Sequence, residues 1–352
     1  MFQDIALQHL FKLQKEQPVT LVDVRSPKEF ADATIPGSIN IPLFNNEERA
    51  AVGTLYKQQG PEAAKEKGLA LFSAKLPEFI AQFRSFTDPI VVYCWRGGMR
   101  SKTAATVLNL MDTPVSRLDG GIRSYRRWVA STLEEQHVAL PKMYVLNGYT
   151  GSGKTILLKR LQEHGYPILD LEGMANHRGS AFGQVGLEPN NQKKFDSLLV
   201  KALKRYEHAS FIFLEGESKR IGKVSLPDFL YDKKENGKQL FIDLPMEKRV
   251  QNILNEYDPD AHRDNIMEAF LIIKKRIHTP IAKEIEDDLL QGKFDSATKL
   301  LLEYYYDPRY EHTLRNYSDD KKVTIHADNL DEAYKMITDF IKQEEKSEYI
   351  QL

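Results

Sequence analysis

A chain of 352 residues is long enough for two domains, each with its own core, and its 41% apolar and 28% charged residues are those of an ordinary soluble globular protein. No apolar run approaches a membrane span, and the start, MFQDIALQHLFKLQKEQ, lacks a basic region followed by a cleavable apolar one. A formal net charge of -1 means that any polyanion must meet a local basic face, and a single cysteine excludes an internal disulfide and fits a reducing cytoplasm.

An amphipathic helix is predicted first, then the β-branched run "VTLVDVRSPKEF". "ATIPGSINIPL" has the Pro and Gly punctuation of a loop entering a short strand. A charge-rich helical stretch is expected from about Asn45 to Arg84, followed by strand "PIVVYC", a glycine-bearing loop and helix "SKTAATVLNLM". "PVSRLDGGIRSYRRWV" closes this half. The polar segment "TLEEQHVALPKM" places a boundary near Glu134 to Pro141, giving domains 1–136 and 137–352. Strand "MYVLN" opens the second half, and "PILDL", "FIFLE", "QLFIDL" and "KVTIHA" follow between long helical patterns. Alternating strands and helices predict two α/β domains with parallel sheets.

Gly148, Tyr149, Thr150, Gly151, Ser152, Gly153, Lys154 and Thr155 complete the pattern G-x-x-x-x-G-K-[ST] between a strand and an apolar helix, the context a phosphate-binding loop requires. Glycines let backbone N–H groups converge on phosphate oxygens, and the helix N-terminus favours an anion. Lys154 would neutralise phosphate charge, and the Thr155 hydroxyl could hold Mg2+. The supporting carboxylate should stand at a neighbouring strand end. "FIFLEGESKRIG" offers Glu215 and Glu217, and "PILDLEG" offers Asp170 and Glu172. The reading settles on Glu215, Glu217 and Asp170, with the metal itself unassigned. A glutamate in place of the commoner aspartate weighs against ordinary ATP–magnesium chemistry. "ANHRGSAFG" adds His177, Arg178 and Ser180 as candidate phosphate or nucleic-acid contacts.

The chain's one thiol, Cys94, lies in "VVYCWRGGMRSK", between a strand and a helix. That position puts sulfur near backbone N–H groups, and Arg96 and Arg100 add positive charge, conditions that favour a thiolate. The flanking Trp, Arg and Gly residues predict an exposed loop. This half resembles a rhodanese domain, on "DVRSPKEF", "IPGSINIP", "VYCWRGGMRS" and "LDGG" with Trp128 behind it. Rhodaneses carry sulfur as a persulfide on the loop cysteine. Cys94 to Arg100 forms C-x5-R, longer than the usual rhodanese loop and matching related phosphatases, which implies a wider cradle for a bulkier anion such as phosphate or selenophosphate.

With "CWRGGMRS", "GYTGSGKT", "ANHRGSAFG" and "LEGESKRIG" in this order, nearly the whole chain resembles the tRNA 2-selenouridine synthases. The fold implied is a rhodanese-like parallel-sheet domain followed by a P-loop NTPase-like, kinase-like α/β domain. The activity implied is replacement of sulfur by selenium in wobble 2-thiouridine, with selenophosphate as donor and S-geranyl-2-thiouridine, made from geranyl diphosphate, as intermediate. Cys94, Arg96 and Arg100 would serve selenium transfer. Gly148, Gly151, Ser152, Gly153, Lys154 and Thr155 would grip diphosphate. No tightly bound cofactor is expected. The partners implied are the tRNA anticodon loop and a selenophosphate synthetase as supplier, with no membrane.

Basic surface for tRNA is sought in Arg123, Arg126 and Arg127, in Lys219, Arg220 and Lys223, in Lys193 and Lys194, in Lys274, Lys275 and Arg276, and in His177 and Arg178, with Trp95 or Tyr149 to stack on an everted base. Three rival readings stand beside this one. The first is an ATP-dependent tRNA sulfurtransferase using a Cys94 persulfide. The second is a C-x5-R phosphatase joined to a kinase, against which Tyr93 replaces the customary histidine. The third is a non-catalytic, nucleotide-gated tRNA-binding protein.

Overall fold

The computed structural model describes residues 2–134, 140–314 and 317–350, with 311–314 and 347–350 described by backbone alone. Two compact units divide the chain: Met1–Gln136 with Asp196–Lys201, and His137–Phe195 with Ala202–Leu352. Of the expected boundary segment, residues 135–139 lie outside the described residues.

The first unit contains β1 (Gln3–Ile5), β2 (Thr20–Asp23), β3 (Ile39–Asn40), β4 (Ile90–Tyr93) and β5 (Val115–Leu118). They form one parallel sheet in the order β1-β5-β4-β2-β3. Helices cover both faces of such a sheet, so β4 is buried at all four residues and reads as an unbroken apolar run. Cys94 follows at its carboxyl end, the edge at which open parallel sheets bind ligands. The helical stretch expected from Asn45 to Arg84 is three helices: Asn46–Gln59, Pro61–Ser73 and Leu76–Phe83. Gly60, at φ +88, leaves helical space, and Pro61 and Pro77 each start a new helix where a missing N–H costs nothing.

The second unit contains β6 (Lys142–Gly148), β7 (Ile168–Leu169), β8 (Phe211–Glu215), a small antiparallel pair β9 (Arg220–Ile221) and β10 (Val224–Ser225), β11 (Lys238–Asp243) and β12 (Lys322–His326). The parallel sheet runs β12-β11-β6-β8-β7, which puts the strand feeding the phosphate-binding loop at its centre. All the strands expected from sequence are present. Among the described residues between β11 and β12 are α-helices starting at Met246, Arg263, Thr279, Phe294 and Asp307. These pack a separate apolar cluster around Phe270, Ile273 and Ile285, joined by Phe182 and Val185. The last two helices meet through a π-helical turn, Leu302–Tyr306, a geometry frequent at functional sites.

Candidate active sites

In the first unit the carboxyl end of β4 delivers Cys94 to the start of helix Met99–Leu110. The residue is only 3% exposed, which corrects the expectation of an open thiol. The outer residues of the loop, Arg96, Gly98 and Met99, are exposed, while the sulfur lies beneath them, 3.2 Å from the buried Ser101 Oγ and 3.9 Å from the Gly98 carbonyl. "LDGG" braces the loop from below: Ile122 and Arg123 N–H donate to the Cys94 and Trp95 carbonyls. Gly121 sits at φ +57, and a Cβ there would meet the Cys94 oxygen at 2.2 Å, so only glycine fits.

Arg100 does not stand free beside the sulfur. Its guanidinium forks onto Glu29, at 2.6 and 3.1 Å. Burial opposes ionisation of Glu29, but Arg100, the Ser26 N–H and Arg49 outweigh it and hold the carboxyl below its usual range. Glu29 also closes the capping box of helix Pro27–Asp32. "DVRSPKEF" thus positions the loop arginine, while Arg25, 1% exposed and forked onto Asp23, ties that segment down.

In the second unit the loop after β6 wraps the N-terminus of helix Lys154–Glu163. Gly151 has φ +80, and a Cβ there would meet the Arg249 carbonyl at 2.6 Å. Lys154 Nζ donates to the Gly148 and Tyr149 carbonyls at 3.0 and 3.4 Å. Ser152 Oγ is buried with no hydrogen-bond partner among the described residues. The loop is clamped from outside by Arg249, 4% exposed, which donates to the Thr150 carbonyl at 2.9 Å and forks onto Asp307 at 3.0 and 2.5 Å.

The carboxyl groups divide differently from expectation. Glu172, two residues beyond Asp170 in "PILDLEG", accepts from Thr155 Oγ1 at 3.0 Å. Burial, then the charge of Glu217, push its carboxyl up to about 8, and a hydrogen bond links the two glutamates. Glu217 is 9% exposed and packs against Gly179. Glu215 is fully buried at the end of β8 and accepts from Leu171 N–H at 2.9 Å. Burial, then the charges of Asp170 and Glu172, raise it well above its usual range. Asp170 caps helix Leu171–Ala175 through Gly173 N–H, which makes it a local structural group.

Two cavities flank the phosphate-binding loop. The first touches the loop at Thr150 and is walled by Phe182, Leu254, Ile266, Leu289 and Leu302. Ser180 and Tyr257 stand at its polar side, their hydroxyls 3.1 Å apart. The second touches Gly148 and Tyr149 and includes Phe241, Tyr310 and the pair Asp243–His326.

A family model described as "tRNA 2-selenouridine synthase AAA domain" matches residues 141–270, and one described as "Rhodanese-like domain" matches residues 7–127. The tRNA 2-selenouridine synthase of Sulfurovum sp. (strain NBC37-1) is 35% identical, over 84% of this chain and 88% of its own. That of Hydrogenovibrio crunogenus is 34% identical, over 84% and 90%. The chain belongs to the tRNA 2-selenouridine synthase family. Membership makes it an enzyme of the transferase class, and the rhodanese-like and P-loop-like folds expected from sequence are borne out. Among solved structures, TT1252 from Thermus thermophilus is 16% identical over 58% of this chain and 97% of its own, with a TM-score of 0.31, a likeness too slight to carry argument.

Several basic candidates in this synthase-family chain are already engaged. Arg178 donates to the Val185 and Glu256 carbonyls, pairs with the Glu256 carboxylate at 3.0 Å and lies 4.6 Å over the Tyr257 ring. These contacts tie its loop together. His177 is half-buried and accepts from Gly179 N–H. Lys274 is held by Glu286, and Lys219 pairs with Asp228 at 2.6 Å. Arg123, Arg127, Arg220, Lys223, Lys275 and Arg276 are exposed, and Arg126 is half-buried. Trp95 packs its ring against the core of the first unit. Sequence reading missed Glu29, Ser101, Arg249 and Asp307. Glu29 and Ser101 stood inside quoted motifs, whereas nothing local marks the other two. No helix among the described residues is long and apolar enough to cross a membrane.

Proposed function

We propose that this enzyme replaces sulfur by selenium in the wobble 2-thiouridine of tRNA, in the cytoplasm, through an S-geranyl intermediate. The carrying observation is the apolar cavity opening onto Thr150 of the phosphate-binding loop. A nucleotide needs no greasy chamber beside its phosphates. A geranyl chain on a diphosphate does, and an apolar wall with a few placed polar groups is the usual make-up of a small-molecule site.

Backbone N–H groups of the loop, Lys154 and the unpartnered Ser152 hydroxyl would hold the diphosphate and stabilise the charge that grows on it as carbon–oxygen bond cleavage proceeds. Thr155 and the Glu172–Glu217 pair supply oxygen donors of the kind Mg2+ takes, and these residues would hold that ion. The tRNA anticodon loop is the nucleic-acid substrate. Once sulfur is alkylated, the adjacent ring carbon is electrophilic and geranylthiol can leave. Selenophosphate, supplied by a selenophosphate synthetase, is received at the Cys94 loop with Arg96 beside it. Arg100 serves there once anion competes for it with Glu29. The selenium of selenophosphate attacks that ring carbon as geranylthiolate leaves, and water then cleaves the Se–P bond to release phosphate, with no change of oxidation state. Cys94, the chain's single thiol, assists this transfer at the loop without being oxidised.

The test is mass spectrometry of nucleosides from 2-thiouridine tRNA incubated with geranyl diphosphate, selenophosphate or both. Lys154→Ala should abolish both products, whereas Cys94→Ala should keep geranylation and lose selenouridine. Absence of both products from wild type, with ATP consumed instead, would replace this reading with sulfur transfer.

A further inference from the structure

We propose that the aromatic cavity beside Gly148 and Tyr149 seats the thiouridine ring, and that His326, held by Asp243, is the base that removes its N3 proton. The proposal rests on the geranyl-transfer reading above.

That reaction has a proton to dispose of. The thione sulfur attacks C1 of the geranyl group, the C1–O bond breaks, and its electron pair leaves with diphosphate. The alkylated ring is then a cation, and it becomes neutral S-geranyl-2-thiouridine only by losing the N3 hydrogen. A base facing the ring beside the diphosphate site would take that proton before or as the carbon–sulfur bond forms and make the sulfur a better nucleophile.

The carboxyl groups on the β8 side of the phosphate-binding loop are poor recipients. Glu215 is fully buried and accepts from the Leu171 N–H, and Glu172 shares a hydrogen bond with Glu217. On the other side of β6, Asp243 and His326 are register partners at the carboxyl ends of the parallel strands β11 and β12. The backbone thus sets the pair side by side, with His326 Nδ1 2.8 Å from Asp243 Oδ2. A carboxylate can only accept, so Nδ1 donates, and in the neutral ring this tautomer leaves the lone pair on Nε2. The imidazolium formed on proton uptake is stabilised by the same carboxylate.

Both residues line the cavity that begins at Gly148 and Tyr149 of the phosphate-binding loop. Its aromatic surface suits a base: the Tyr149 and Tyr310 rings are 6.1 Å apart, and Phe241 lies in the same wall. Lys154 Nζ lies 5.6 Å from the Tyr310 ring, which joins this cavity to the phosphate end of the site. The His326 side chain is 75% exposed, open both to a substrate ring and to a small molecule in solution.

The competing account is an exposed ion pair at two strand ends, worth little to anything. Single-turnover geranylation of 2-thiouridine tRNA separates the two, using wild type, His326→Ala, His326→Gln and Asp243→Asn. The base role predicts a loss of roughly 100-fold or more in His326→Ala and His326→Gln, the range of general base catalysis, with the KM for geranyl diphosphate within about twofold of wild type. Imidazole added to His326→Ala should restore part of the rate, and Asp243→Asn should be slowed about tenfold. A rate within about threefold of wild type in His326→Ala overturns the proposal, as does a slow variant that imidazole does not rescue. Wild type forming no geranylated nucleoside would overturn the geranyl reading itself, a result distinct from either.

Discussion

Replacing Glu172 with glutamine keeps an oxygen acceptor for Thr155 while removing a proton that the folded protein holds. Burial, and then the charge of Glu217, raise this carboxyl from 4.5 to about 8. The unfolded chain releases the proton near the ordinary value, so between these limits the folded state binds more protons. Stability from this group is therefore fully present below 4.5 and is lost as pH rises, until the loss is complete above about 8. The slope is ~1.4 kcal/mol per pH unit for one whole proton, which makes about 2–3 kcal/mol between pH 5 and pH 7. Glutamine has no proton to lose. The stability of Glu172→Gln relative to wild type should improve by that amount over this interval. Calorimetry in EDTA would follow the second unit. Both tryptophans, Trp95 and Trp128, lie in the first unit, so their fluorescence supplies an internal control that should not move. A stability difference equal at pH 5 and pH 7 would refute the reasoning, because a carboxyl at its ordinary value contributes no such slope.

Gly121→Ala forces a Cβ to within 2.2 Å of the Cys94 oxygen and 2.7 Å of the Gly97 nitrogen, both backbone atoms that cannot swing aside. It should cost about 2–3 kcal/mol by tryptophan-monitored denaturation and abolish selenouridine formation while geranylation persists. Arg249→Ala leaves Asp307 without its fork and frees the Thr150 carbonyl. Calorimetry should show the second unit destabilised by about 3 kcal/mol, and inhibition by inorganic diphosphate should weaken at least tenfold. Leu302→Trp fills the apolar cavity. It should raise the KM for geranyl diphosphate while leaving inhibition by inorganic diphosphate unchanged, and equal effects on both would argue against a tail site there.

Much of the architecture was legible because its signals are local. A β-branched run followed by Cys94, or by Gly148 to Thr155, specifies a strand, a tight turn and a helix start within a dozen residues. Those contiguous stretches led to two α/β domains and to both loops. Gly60, Pro61 and Pro77 carried the breaks in the helical stretch as well, although charge pattern and length had masked them.

What tertiary structure decided was the state and company of each group. Arg100 and Glu29 are 71 residues apart, and Asp243 and His326 are 83 apart. Asp170 and Glu172 are neighbours in sequence, yet one is spent on a helix cap and the other is pressed against Glu217 beside Thr155. The sequence by itself determined where phosphate-binding backbone and the lone thiol stand, because turn geometry is written in adjacent residues. Burial of Cys94, the proton on Glu172 and the apolar chamber beside Thr150 depend on which distant segments exclude water. Only the packed chain settles that.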